Sequence, residues 1–253
     1  EERAILLCDL GDLDLVAGRY ARAISHAEQA LELCSEVREV NRVCAAYAIL
    51  AVAHWRIGQG PKAAEAAERM GLYLRGEGVA VWRPRLHTAR VWLGLGEPAR
   101  AQKLLSTHKP PPDDQSFGTR SWWRALGARC VAHSDPAQAE SAARRALQNL
   151  PLGQITKLDL LLDLSEAFLA IQQPEACAPI LTDILSSNPP DDAAGLLLEA
   201  HLIAHRLGGS SLDITPCKNW IEQIRRQLHG PTAPAFLRRP DIIELLEHNP
   251  LEG

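Results

Sequence analysis

Apolar residues recur along this chain at spacings of three, four and seven, the period that gathers side chains on one face of an α-helix. Short turn segments interrupt the pattern at near-constant intervals: Gly18-Arg19-Tyr20-Ala21-Arg22-Ala23, Gly58-Gln59-Gly60-Pro61-Lys62-Ala63, Gly96-Glu97-Pro98-Ala99-Arg100-Ala101, Ser134-Asp135-Pro136-Ala137-Gln138-Ala139 and Gln172-Gln173-Pro174-Glu175-Ala176-Cys177. Their final small residues lie 40, 38, 38 and 38 positions apart, and self-similarity at a fixed period of this size is the signature of a repeat architecture. Seven residues before each turn stands a small side chain (Gly11, Ala51, Ala89, Gly127, Ser165), preceded by Leu10, Leu50, Thr88, Leu126 or Leu164. Beyond the turn come Ala27, Ala67, Leu105, Ala143 and Leu181, then Ala30, Met70, His108, Ala146 and Ile184. Each unit therefore predicts a helix, a tight turn and a second helix, with small residues where the two helices approach closely. Pro98, Pro136 and Pro174 suit the first turn of a second helix, whose leading N–H groups need no partner within the helix. Pro151 and Pro189 stop that helix in the fourth and fifth units.

The units resemble tetratricopeptide (TPR) repeats. The family pattern is carried by Tyr47, Leu50, Ala51, Ala63 and Ala67 in the second unit and by Trp123, Leu126, Gly127, Ala139, Ala143, Ala146 and Pro151 in the fourth. Departures are Asp14 at the aromatic position of the first unit, Arg85 and Thr88 at apolar positions of the third, and a period longer than the family's. The resemblance covers about residues 3–190, with a weaker sixth pair near 192–228. It implies an all-α fold, a right-handed TPR-like α-solenoid of about six helix pairs. The expected repeats are 4–41, 44–78, 82–115, 120–153, 158–190 and 192–228 of an array spanning 1–229. A Pro-rich tail, 230–253, follows with a short capping helix around Asp241–Glu247, because an array buries its faces only against neighbouring units. The long period is similar to that of regulatory arrays in bacterial multidomain signalling proteins and transcription activators.

Composition narrows the setting. The chain has 253 residues, 46% hydrophobic and 23% charged, which excludes global disorder. No apolar run reaches the roughly 18–20 residues of a membrane-spanning helix, and no signal-peptide pattern opens the chain. A net charge of −4 and a pI near 6.2 provide no cationic field, so neither nucleic acid nor a membrane surface is expected as partner. Cys8, Cys34, Cys44, Cys130, Cys177 and Cys217 have no CxxC or zinc-ligand spacing and read as buried reduced thiols, which points to a cytoplasmic location. The chain opens at Glu1 without an initiator Met, and Ile5, Leu6, Leu7, Leu10, Leu13, Leu15 and Val16 cover most of the first helix. Both features read as a segment of a longer protein, with an effector domain elsewhere.

Catalytic chemistry finds no foothold. GxxxxGK[ST], GxGxxG and GxSxG are all absent, so no cofactor and no catalytic residue is expected. Glu199, His201 and His205 lack the Glu beside the first His that a zincin requires, and read as ordinary helix positions. Asp113-Asp114 reads as a solvated turn in a Pro-rich loop. Recognition is better supported. The groove-facing offsets of the TPR resemblance fall on Trp55, Arg56, Arg83, Arg90, Arg124, Asp159 and Glu166 among others, with arginines in the second to fourth units and carboxylates in the fifth. Arginine forks suit carboxylate or phosphate groups and Trp55 suits an apolar anchor. The Lys and Asn of a co-chaperone carboxylate clamp are missing. The expected function is a non-catalytic scaffold or regulatory module that binds a protein or peptide with acidic groups in its concave groove. The alternative is a sensor of a small anionic ligand. Of the tryptophans near the third and fourth units, Trp92 and Trp123 are expected in the core, and Trp82 and Trp122 are the candidates for contact with a partner.

Overall fold

A computed structural model of the chain describes residues 2–37, 39–74, 82–107, 118–150, 154–186, 193–207 and 215–248. Among these residues the structure is all α-helical: α1 (Glu2–Val16), α2 (Tyr20–Val37), α3 (Val40–Arg56), α4 (Gly60–Tyr73), α5 (Trp82–Gly94), α6 (Pro98–Ser106), α7 (Thr119–Val131), α8 (Pro136–Leu147), α9 (Gln154–Ala170), α10 (Pro174–Ser186), α11 (Ala194–Arg206), α12 (Thr215–Gln227), α13 (Thr232–Leu237) and α14 (Pro240–His248). The first twelve pack as pairs in chain order, and each pair packs against the next.

The predicted stripe is what holds each pair together. Ala23, Ala27 and Ala30 of α2, Ala63, Ala67 and Met70 of α4, and Ala139, Ala143 and Ala146 of α8 are buried, as are Ala101 and Leu105 of α6 and Cys177, Leu181 and Ile184 of α10. Small side chains at these positions bring the helices close enough to exclude water along the whole interface. His108, Pro151, Pro189 and the Asp113-Asp114 turn lie outside the described residues. Asp14, standing where the repeat pattern calls for an aromatic, is nevertheless buried, because Arg19 (2.5 Å) and His26 (3.1 Å) meet its carboxylate.

Four of the five described turns between paired helices share one chemistry. Gly18, Gly58 and Gly96 take φ of +71°, +76° and +77°, and Gln172 takes +60° at the equivalent place. This left-handed residue lets the following N–H reach back to a carbonyl near the helix end: Arg19 to Asp14, Gln59 to His54 and Glu97 to Trp92 at 2.8 Å, and Gln173 to Phe168 at 2.9 Å. The bond satisfies a carbonyl that the ending helix orphans, and reverses the chain within a few residues. Asp135 then caps α8 by accepting from the Gln138 N–H at 2.9 Å.

The odd-numbered helices form the inner layer. They touch in order, α1, α3, α5, α7, α9 and α11, and α11 then returns to α1, so the layer is a closed ring of contacts. The return is a backbone contact. A Cβ on Gly195 of α11 would lie 2.8 Å from the Leu15 carbonyl oxygen and 2.9 Å from both the Gly18 nitrogen and the Val16 carbonyl oxygen, so only glycine fits there. This closure explains part of the apolar excess on α1, since Leu15 and Val16 are buried beside Gly195, whereas Leu6 and Leu13 stay 58% and 51% exposed. The tail also departs from expectation. It holds two helices instead of one, α13 against α12 and α14 against α11, and it reaches the turn after α3, where the Ala235 carbonyl oxygen lies 2.5 Å from where a Gly58 Cβ would stand.

Candidate functional site

Of the seven side chains expected to face a partner, three are engaged inside the ring. Arg56, in the last turn of α3, is buried and paired with Glu199 of α11. Arg90 of α5 is 3% exposed. Its Nη1 donates to Asp159 Oδ1 of α9 at 2.5 Å and its Nη2 to the Asp159 carbonyl at 2.7 Å, while Nε and Nη2 donate to Asp163 Oδ2 at 2.8 and 2.5 Å. The expectation that Arg56, Arg90 and Asp159 present free charge to a partner is therefore corrected: helices facing each other across the ring neutralise one another. The remaining four lie nearer solvent. Arg83 is exposed, 3.4 Å from Asp12, and Glu166 pairs with Arg206 of α11. Arg124 is half-buried on α7. Trp55 is half-buried, with the Arg56 guanidinium 4.2 Å from its ring centroid, and it leans on Gly94, where a Cβ would come within 2.3 Å of the ring.

Two carboxylates organise the network, and neither stood among the expected groove residues. Asp163 Oδ2 accepts from Arg90 and from Trp122 Nε1 at 2.6 Å, while Oδ1 accepts from Arg129 of α7. Burial alone would raise the Asp163 carboxyl, but the Arg90 and Arg129 guanidiniums outweigh it and hold the pKa below the usual value. Burial likewise works against charge on Arg90, and the Asp163 and Asp159 carboxylates overcome it and raise its pKa. Glu199 joins Arg56 to Arg239, whose Nη1 and Nη2 donate to the two carboxylate oxygens at 3.0 and 3.3 Å. Against the pull of burial, Arg239 and Arg56 bring the Glu199 pKa down to about 2. Arg239 also donates to Asp241 at 2.6 Å and to the Arg56 carbonyl at 3.0 Å, so a single guanidinium pins the tail to α3 and α11. Trp122, expected as a partner contact, is buried because Asp163 takes its N–H, and Trp123, expected in the core, is the half-buried one.

This network divides the interior. At the N-terminal ends of α3 and α5 a cavity of 300 Å³ is lined by Asp9, Asp12, Asn41, Arg42, Trp82, Arg83 and His87. His87 is 7% exposed, neither ring nitrogen has a hydrogen-bond partner, and the ring meets Trp122 edge-on at 4.9 Å. Burial, with the Arg83 and Arg90 charges, drives its pKa well below the ordinary value, so the ring is neutral. A crevice of 20 Å³ beside Arg56 and Arg90 follows. Beyond it, where the C-terminal halves of α3, α5, α7, α9 and α11 meet the tail, lies a cavity of 670 Å³.

Other candidate chemistry is engaged elsewhere. His201 Nδ1 lies 3.1 Å from the Leu197 carbonyl and its ring packs edge-on against Trp220, while Glu199 is held by arginines. Among the described residues no three His, Cys, Asp or Glu side chains are placed to hold a metal ion. All six cysteines are free thiols. Burial pushes Cys8 and Cys217 up to about 12 and Cys44, Cys130 and Cys177 up to about 11, leaving them protonated and unreactive at neutral pH. No described helix is long and apolar enough to cross a membrane. Compared with protein-family models, curated proteins and solved structures, the chain matches none.

Proposed function

We propose that this chain is a non-catalytic regulatory module of the TPR type, a right-handed α-solenoid of about six pairs, that senses a small anionic ligand in the 670 Å³ cavity. The charge balance of that cavity carries the reading. Six arginines line it (Arg56, Arg90, Arg129, Arg206, Arg238, Arg239) against four carboxylates (Asp163, Glu166, Glu199, Asp241), and a fifth carboxylate, Asp159, binds Arg90 from behind the wall, which leaves a surplus of one positive charge. Arg238 is exposed at the rim. The size lies within the range of small-molecule sites. An extended peptide would need an open track past α1 and α11, and those helices are in contact.

Citrate is the probe. It is expected to raise the melting temperature of the wild-type chain by binding the folded state, an effect worth about 2.7 kcal/mol at a hundredfold excess over Kd. Arg238→Glu, an exposed change that reverses the surplus, should abolish the rise. An equal rise with sodium chloride at matched ionic strength, or an undiminished rise in the variant, would overturn the reading. Arg90→Glu would be a poor probe of binding, because Arg90 is held by Asp159 and Asp163 as a structural ion.

A protein partner is supported at another place. Leu6 and Leu13 are exposed seven residues apart on one side of α1, and that side is where a protein partner would dock in this second reading.

A further inference from the structure

Four arginines are buried among the described residues, and three of them, Arg56, Arg90 and Arg239, bind carboxylates. The fourth does not. Arg85 of α5, at a position the repeat pattern fills with an apolar side chain, is 1% exposed, and its Nε and Nη1 have no hydrogen-bond partner. Its guanidinium lies 4.7 Å from the centroid of the Trp82 ring, which offers a face but no acceptor. An uncompensated buried charge is among the costliest features a fold can hold, and its retention calls for a counter-ion from outside the chain.

The place for one adjoins it. Arg85 forms part of the wall of a 750 Å³ cavity among α4, α5 and α6, outside the inner ring and separate from the cavity discussed above. The other charged groups there are Glu68, Arg100 and Lys103. Glu68 binds Arg100 at 2.7 Å, so Arg85 and the exposed Lys103 are left as the uncompensated pair. The rest of the wall includes Leu72, Leu74, Leu104 and Trp92, and Leu72 is 55% exposed. Burial holds the Arg85 pKa below its ordinary value, but a guanidinium stays charged throughout the working range.

We propose that this cavity binds an amphipathic carboxylate, a monoanion with a hydrocarbon body. Its carboxylate sits on the Arg85 fork with Lys103 at the rim, and its chain lies along Leu72, Leu74, Leu104 and Trp92. Inorganic phosphate would satisfy the cations and leave the apolar wall wet. A neutral alcohol would cover the wall and leave Arg85 bare.

Isothermal titration of the full chain with decanoate tests this, with decanol and inorganic phosphate as controls. Decanoate should bind one to one, and decanol and phosphate should each bind about tenfold more weakly or worse. Arg85→Met should weaken decanoate about 10- to 100-fold and, in the same protein without ligand, raise the melting temperature, because an unpaired buried charge is exchanged for an apolar chain of similar shape. Lys103→Met, at an exposed position, should fold as the wild type does and weaken decanoate less. Decanoate binding equally well to R85M overturns the proposal. So does an R85M chain that melts lower or fails to fold, since that guanidinium would then be satisfied from within the chain.

Discussion

Asp163→Ala is expected to destabilise the chain by about 3–5 kcal/mol, the range for removing one member of a buried ion network. The alanine would leave Arg129 without its carboxylate, Trp122 Nε1 without its acceptor, and Arg90 with Asp159 as its one remaining counter-charge. These groups are buried or nearly so, with side-chain exposures of 3% for Arg90, 12% for Arg129 and 2% for Asp163. Water therefore cannot replace the lost partner cheaply. Urea denaturation reads the effect as a lower midpoint at unchanged slope. Glu140→Ala is the contrast, because it breaks solvent-screened contacts with Arg144 and Gln173 and should leave the midpoint nearly unchanged. A loss for Asp163→Ala no larger than that of Glu140→Ala would mean that the ring interior is hydrated.

Glu199→Ala should be nearly as damaging, and it carries a pH signature. The Glu199 carboxyl titrates at about 2 in the folded chain and at 4.5 when unperturbed. A depressed carboxyl contributes stability that is complete above the unfolded pKa and vanishes as pH falls through the folded one. The contribution, about 3 kcal/mol from the size of the shift, is thus lost between pH 4.5 and 2, and the depressed Asp163 adds loss in the same direction. Melting temperatures of the wild type should fall steeply across that window, and those of Glu199→Ala, lower at neutral pH, should fall less. Parallel curves would remove Glu199 from the network. The alanine also severs the hold of Arg239 on α11, leaving the Arg56 carbonyl as the one bond of that guanidinium to a group outside the tail.

Helix pairs and their turns were legible because their causes are local. A left-handed residue at Gly18, Gly58, Gly96 or Gln172 and a buried small or apolar stripe beginning five residues beyond it are fixed offsets within one unit. Closure of the ring was not legible. It depends on Gly195 meeting Leu15 and Val16 at the opposite end of the chain, and no offset within a unit encodes that contact. The site was half legible for the same reason. Repeat offsets identified Arg56, Arg90 and Asp159 as inward-facing, but what an inward side chain meets is set by the helix across the ring. Asp163 was visible in principle, as an acid within the run Leu160-Leu161-Leu162-Asp163-Leu164, where an unpaired carboxylate would be costly. Arg239 had no such signal: it lies in a Pro-rich tail, 183 residues from the carbonyl it binds. Arg85 and Thr88 did stand out from the repeat pattern, and both are buried with unpartnered polar atoms.

Closure of the inner layer decides whether a peptide track or an enclosed anion cavity is present, and small-angle X-ray scattering measures it most directly. A compact chain of this length has a radius of gyration of about 18 Å, and the wild type is expected close to that value. Gly195→Trp, which forces α11 away from the backbone of α1, should raise it by several ångström. A wild-type radius already several ångström larger and unchanged by the substitution would contradict the closed ring.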